Sequence, residues 1–189
     1  MKIGLLFGSF NPIHTGHLII ANHIASYHVD KIWFVVSPQN PFKRSKELLN
    51  AESRFALAEL AIENDDRFEV LDIEFHLPTP SYTINTLQAL SAKYSGHEFY
   101  LIMGSDNFLN ISKWRASTEI INNYNLLVYQ RNGFAVDEDC LTRKITLLNA
   151  PLLDISSTAI RNLVAHNKSI RYLVPEKVYN VIQANGYYR

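Results

Sequence analysis

The chain has 189 residues, with 18 Lys+Arg against 18 Asp+Glu and a pI near 7.1, so it carries no overall basic field for binding nucleic acid without regard to sequence, and phosphate recognition has to be local. A single cysteine, Cys140, excludes an intrachain disulfide framework, fits a reducing interior and reads as a small packed side chain. Gly8 and Ser9 break the N-terminal apolar run of a would-be secretory signal, and nothing approaches the ~18 apolar residues of a spanning helix, so a cytoplasmic protein with no membrane or nucleic-acid partner is expected.

Lys2 to Phe7 (KIGLLF) is an apolar run of the buried-strand kind, and Leu18 to Tyr27 has the pattern of a helix. The turn between them, Gly8-Ser9-Phe10-Asn11-Pro12-Ile13-His14-Thr15-Gly16-His17, is a phosphate-site candidate. Its glycines let backbone approach a ligand, and a helix starting near Gly16 points N–H groups and its positive dipole end at the same place. His14 and His17 can face one bound group as hydrogen-bond donors or as cations. Metal binding is the rival reading, although no partner cluster at ligand spacing accompanies them. Helix capping by one ring and packing by the other is the plain structural alternative.

Lys31 to Val36 is a second buried strand, followed by a polar loop through Pro41, Phe42, Lys43 and Arg44. Loops after the first two strands of a parallel sheet share one end of it, where ligands bind, so Lys43 is a candidate to reach a phosphate there. Asn50 to Glu63 is a helix capped by Asn50, with Arg54 as a surface or ion-pair residue. Phe68 to Leu71 is the third strand and Asp72-Ile73-Glu74 a loop after it. Ser81-Tyr82-Thr83-Ile84-Asn85-Thr86-Leu87 opens a helix running to about Lys93.

Glu98 to Met103 is the fourth strand; Gly104-Ser105-Asp106 and then Trp114-Arg115 follow it. Asn125 to Gln130 and Lys144 to Leu148 are the fifth and sixth, and the segment between them, from Arg131-Asn132-Gly133 on, suggests no chemistry. Asp154-Ile155-Ser156-Ser157-Thr158-Ala159-Ile160-Arg161 opens another helix. Capping explains one hydroxyl there but not three with an arginine one turn on, so this is a second anion cradle. A last helix, Glu176 to Asn185, starts behind Pro175 and ends at Gly186.

Strands alternate with helices, which predicts an α/β fold: a doubly wound, Rossmann-like, mostly parallel sheet with helices on both faces, in one domain spanning 1–189. Neither a Gly-x-Gly-x-x-Gly turn nor a P-loop is present, which argues against ordinary dinucleotide binding and Walker-type kinases.

GSFNPIHTGH resembles the (H/T)xGH signature of the nucleotidyltransferase superfamily, in the form seen in bacterial nicotinate mononucleotide adenylyltransferases, with Ser9 and Asn11 standing where that family commonly has Thr and Asp. ISSTAIR matches its ISSTxIR run, SYTINTL is similar to its Ser-Tyr-Thr-x-Asp-Thr-Leu segment, and Gly104, Asp106 and Trp114 fit its Gly-x-Asp…Trp region. The resemblance implies transfer of AMP from ATP to nicotinate mononucleotide with Mg²⁺, and a homo-oligomer is left open. It implies catalytic roles for His14, His17, Lys43 and Arg161. ATP contacts would come from Gly8, Ser9, Phe10, His14, Gly16, His17, Gly104, Asp106, Ile155, Ser156, Ser157, Thr158 and Arg161. Asn11, Lys43, Tyr82, Thr83, Thr86 and Trp114 would hold the acceptor, and no dedicated protein metal site is expected. Pantetheine-phosphate adenylyltransferase, other relatives sharing the first motif, and a nucleotide sensor without turnover are the alternatives.

Overall fold

The computed structural model describes residues 1–38, 48–151 and 153–189. Six parallel strands, β1 (Lys2–Gly8), β2 (Lys31–Val36), β3 (Phe68–Leu71), β4 (Glu98–Gly104), β5 (Asn125–Tyr129) and β6 (Ile145–Leu148), form one sheet in the order β3-β2-β1-β4-β5-β6. The chain works outward from β1 to one edge, returns, and works outward from β4 to the other. β1 and β4 are neighbours, and the crevice beyond their carboxyl ends is where such a sheet opens for a ligand.

Alternation along the strands divides two apolar layers. Ile32, Phe34 and Val36 of β2 face one layer and Trp33 and Val35 the other; in β4, Ile102 faces the first and Leu101 and Met103 the second. The first layer is covered by α1 (Thr15–Tyr27), α2 (Ala51–Ile62) and two later helices, α6 (Ser157–Ala165) and α7 (Glu176–Asn185). The second is covered by α3 (Thr83–Lys93), the single turn α4 (Ser105–Phe108) and α5 (Ser117–Asn123). A sheet buried on both faces needs near-continuous apolar strands, and KIWFVV supplies one. No helix among the described residues is long and apolar enough to cross a membrane.

The helices start where the sequence places their caps. Asn50 accepts the Ser53 N–H at α2 and Ser156 accepts the Ala159 N–H at α6, while Gly186 takes the left-handed conformation (φ 62°) that closes α7. Three local expectations are corrected. Residues 73–76 wind into a 3₁₀ turn rather than an open loop, which turns Glu74 inward. Cys140 is exposed rather than packed. Arg54 lies neither at the surface nor, among the described residues, in an ion pair: it is fully buried, and its guanidinium donates to the carbonyls of Ser9, Ser37, Pro38 and Leu49. A planar fork of five donors can serve several carbonyls at once, which an ammonium cannot match.

Candidate active site

Two cavities open beyond the carboxyl ends of β1 and β4. The larger, about 290 Å³, is lined by the turn after β1, the start of α1 and the start of α6; the smaller, about 110 Å³, by Ser37, Glu74, Ser81, the start of α3, Trp114 and Arg115. Phe7, Gly8 and Asn107 line both. A broader groove of about 740 Å³ lies at the other end of the strands, around Met1, Tyr27, Asp30 and Gly96. The carboxyl ends of α1 and α3 point that way, so helix dipoles disfavour an anion there and favour one beyond β1.

In the larger cavity, Phe10 sits at φ 45°, a left-handed backbone that costs a non-glycine residue about 1 kcal/mol or more. Packing holds it: the ring is 2% exposed, with its centroid 5.7 Å from that of Phe34 and 5.1 Å from that of His17, both edge-on. His14 is the N-cap residue of α1. Its N–H donates to Nδ1 of His17 at 3.2 Å, and the two rings stack with centroids 3.7 Å apart. Because Nδ1 of His17 accepts, the neutral ring carries its proton on Nε2. His14 thus serves the helix start, as in the capping alternative, and both residues line the larger cavity.

Burial, reinforced by the charge of Arg131, lowers the pKa of His14 to about 4. At neutral pH His14 is thus an uncharged imidazole, which removes the reading of both rings as cations. Gly16 permits the arrangement, since a Cβ there would lie 3.0 Å from His14 Nδ1.

The start of α6, expected from the sequence to be a second anion cradle, closes over the first motif. Ser157 Oγ donates to the Pro12 carbonyl at 2.9 Å and Arg161 Nη1 to the Asn11 carbonyl at 2.9 Å, with Arg161 Nη2 3.4 Å from Thr158 Oγ1. Ile155, Ser156, Ser157, Thr158 and Arg161 line the same cavity as Gly8, Ser9, Phe10, His14, Gly16 and His17. Two motifs far apart in sequence are one surface here, and hydroxyls and a guanidinium that bond the turn also line the cavity beside it.

At the smaller cavity Tyr82, Thr83 and Trp114 gather as expected. The Arg115 guanidinium lies 4.8 Å from the Tyr82 ring centroid, a cation–π distance. Glu74, 1% exposed, accepts the Thr86 hydroxyl at 2.8 Å. Burial raises its pKa, and the hydroxyls of Ser37, Thr86 and Ser81 offset this in part.

Several expected contacts are relocated. Thr86 is 1% exposed and its hydroxyl is committed to Glu74, so it supports the cavity from behind. Asn11 lines the larger cavity, and its Oδ1 accepts the Leu49 N–H at 3.2 Å. Gly104 and Asp106 stand behind the walls, where the next residue, Asn107, reaches both cavities. Lys43, with Pro41, Phe42 and Arg44, lies outside the described residues.

The sequence matches the cytidylyltransferase-like family over residues 5–163. It is 49% identical over 193 aligned residues, covering 100% of this chain and 98% of its relative, to a protein of Cytophaga hutchinsonii named "Probable nicotinate-nucleotide adenylyltransferase". A protein of the same name from Flavobacterium johnsoniae is 46% identical, with 100% of each chain covered. The chain belongs to the nicotinate-nucleotide adenylyltransferase family. A Plasmodium falciparum nicotinic acid mononucleotide adenylyltransferase, solved in complex with NaAD, superposes with a TM-score of 0.85 at 22% identity, covering 99% of this chain and 97% of that one. That likeness establishes the shared fold, an α/β Rossmann-like parallel sheet.

For this member of the adenylyltransferase family, sequence reading misses Arg131, which follows β5, lines the larger cavity and lies 3.7 Å from Asp106 Oδ2. The signal available was positional: a cation directly after a central parallel strand lies at the ligand end of the sheet.

Proposed function

We propose that this chain, as a single nucleotidyltransferase domain, transfers AMP from ATP to nicotinate mononucleotide, releasing pyrophosphate and forming nicotinate adenine dinucleotide. The observation that carries the reading is the pair of cavities meeting at Phe7, Gly8 and Asn107: one is rich in phosphate-binding groups, the other is aromatic and closed by a helix start. The names of the relatives point to the same reaction.

The acceptor's phosphate is the nucleophile. Its second pKa is about 6, so it is largely a dianion at neutral pH and needs no protein base. A new bond forms between that oxygen and the α-phosphorus as the bond from the α-phosphorus to the bridging oxygen breaks, and pyrophosphate leaves with the electron pair. His17, Ser157, Thr158, Arg161 and Arg131 would hold the triphosphate and meet the charge that grows on it, with His14 as a neutral donor; Gly8 lets both substrates approach the strand end. Lys43 is assigned to the same phosphates. Trp114 and Tyr82 would take the pyridine ring, and the first turn of α3 its carboxylate.

No group of three or more His, Cys, Asp or Glu among the described residues is placed to cage a metal. The donors at the larger cavity suit Mg²⁺ carried in on phosphate oxygens and keeping its waters, with the hydroxyls of Ser9 and Ser157 as neighbours. When bound, the ion supplies charge neutralisation on the phosphates.

The test is pyrophosphate release from ATP and Mg²⁺ with nicotinate mononucleotide, nicotinamide mononucleotide and phosphopantetheine as parallel acceptors. Preference for the nicotinate is the expected result. Release with phosphopantetheine alone, or with none of the three, refutes the proposal.

A further inference from the structure

Among the described residues, two charged side chains line the smaller cavity, Glu74 and Arg115, and they stand to it differently. Glu74 is 1% exposed, and the hydroxyls of Thr86, Ser37 and Ser81 hydrogen-bond its carboxyl within the wall. Arg115 is exposed. Its guanidinium lies over the Tyr82 ring, 4.8 Å from the centroid, and among the described residues it forms no ion pair and no side-chain hydrogen bond. The ring face holds the cation without an acceptor atom, so the fork of N–H donors stays open to a planar anion. Tyr82 is also the N-cap residue of α3, which anchors the guanidinium beside the helix start assigned above to the acceptor's carboxylate.

We propose that Arg115 is a specificity-determining residue of the acceptor cavity: its guanidinium pairs with the ring carboxylate of nicotinate mononucleotide and so favours the acid over the corresponding carboxamide. The two acceptors share the ribose and the phosphate and differ at the ring by one negative charge. A carboxylate accepts two parallel N–H···O bonds from a guanidinium, whereas a carboxamide has one acceptor oxygen and would turn its NH₂ toward donors. Glu74 does not compete for the cation, since no ion pair joins them and its carboxyl is served by hydroxyls. The exposure of Arg115 leaves the pairing open to screening by salt, which keeps the discrimination modest and gives it a signature.

The inference rests on the proposed reaction, and the experiment separates the two. kcat and KM are measured for nicotinate and nicotinamide mononucleotides with wild type, Arg115→Met and Arg115→Glu, at about 0.05 and 0.5 M salt, each variant checked for folding by thermal melting. Met keeps an unbranched apolar stem and removes the charge; Glu reverses it. The expected result is that Arg115→Met raises KM for the acid on the order of tenfold with a smaller change in kcat, lowering the acid-to-amide ratio of kcat/KM by a similar factor. Arg115→Glu should lower the ratio further. Added salt should lower the wild-type ratio more than that of Arg115→Met. An acid-to-amide ratio in Arg115→Met within about twofold of wild type overturns the assignment. Equal losses with both acceptors do so too, since they would put the guanidinium on the shared phosphate, as does a ratio with the same salt dependence in wild type and Arg115→Met. Each of these leaves the reaction standing. Wild type inactive with both acceptors overturns the reaction and this inference with it.

Discussion

The N–H of His14 donates to Nδ1 of His17 at 3.2 Å while their rings stack 3.7 Å apart, so one imidazole shapes the helix start and helps place the other. The pKa of His14 is lowered to about 4, below the ~6.5 of an unfolded chain. Between those values the unfolded chain binds more protons than the folded one. The contribution of this group to stability is therefore complete above about pH 7, falls as pH drops toward 4, and is flat below. The full span is on the order of 3 kcal/mol. Urea unfolding across pH 4 to 8 should show that slope in wild type and a shallower one in His14→Asn.

Arg131 raises the positive potential at the same cavity, and it is one cause of the low His14 pKa. Arg131→Ala should bring the titration of His14 up toward its ordinary value, visible by NMR. It should also raise KM for ATP about tenfold through loss of a charge-assisted contact. An unaltered KM would remove Arg131 from the nucleotide-binding surface.

Gly16→Ala separates activity from stability. Alanine is the better helix former by about 1 kcal/mol, but its Cβ would lie 3.0 Å from His14 Nδ1, so the ring must shift by a few tenths of an ångström. Melting temperature should hold or change little while kcat falls roughly tenfold, since small misplacements at a reacting centre are costly. A fully active variant would show that the His14 position tolerates the shift.

Arg54 ties the turn after β1, the loop after β2 and the approach to α2 together through the carbonyls of Ser9, Ser37, Pro38 and Leu49. Arg54→Met would leave those carbonyls short of donors and should destabilise the fold by about 3–5 kcal/mol, measured by urea unfolding. A loss under about 1 kcal/mol would mean that water replaces the guanidinium.

The strands were legible because a sheet covered on both faces demands apolar runs such as KIWFVV, and the helix starts because Asn50 and Ser156 are caps of ordinary chemistry. The pairing of the HTGH turn with the ISSTAIR helix was legible only through resemblance. Spacing alone does not bring Ser157 to the Pro12 carbonyl. Arg54 was misread because a charged residue on a helix is usually solvated, and its partners are backbone carbonyls, which leave no trace in sequence. Glu74 falls in a segment that reads as a loop after the third strand, whereas the 3₁₀ turn that carries it inward depends on tertiary packing. Asn107 and Arg131 follow strands that become neighbours of the site only when the sheet assembles.

The central claim is a direct displacement, in which the acceptor's phosphate, arriving from the smaller cavity, attacks the α-phosphorus held in the larger one. The measurement that tests it most directly is the stereochemical course at that phosphorus, using ATP with a chiral α-phosphorothioate and nicotinate mononucleotide as acceptor. A single in-line attack predicts inversion of configuration in the dinucleotide. Retention would require two displacements through an adenylylated side chain and would contradict the account.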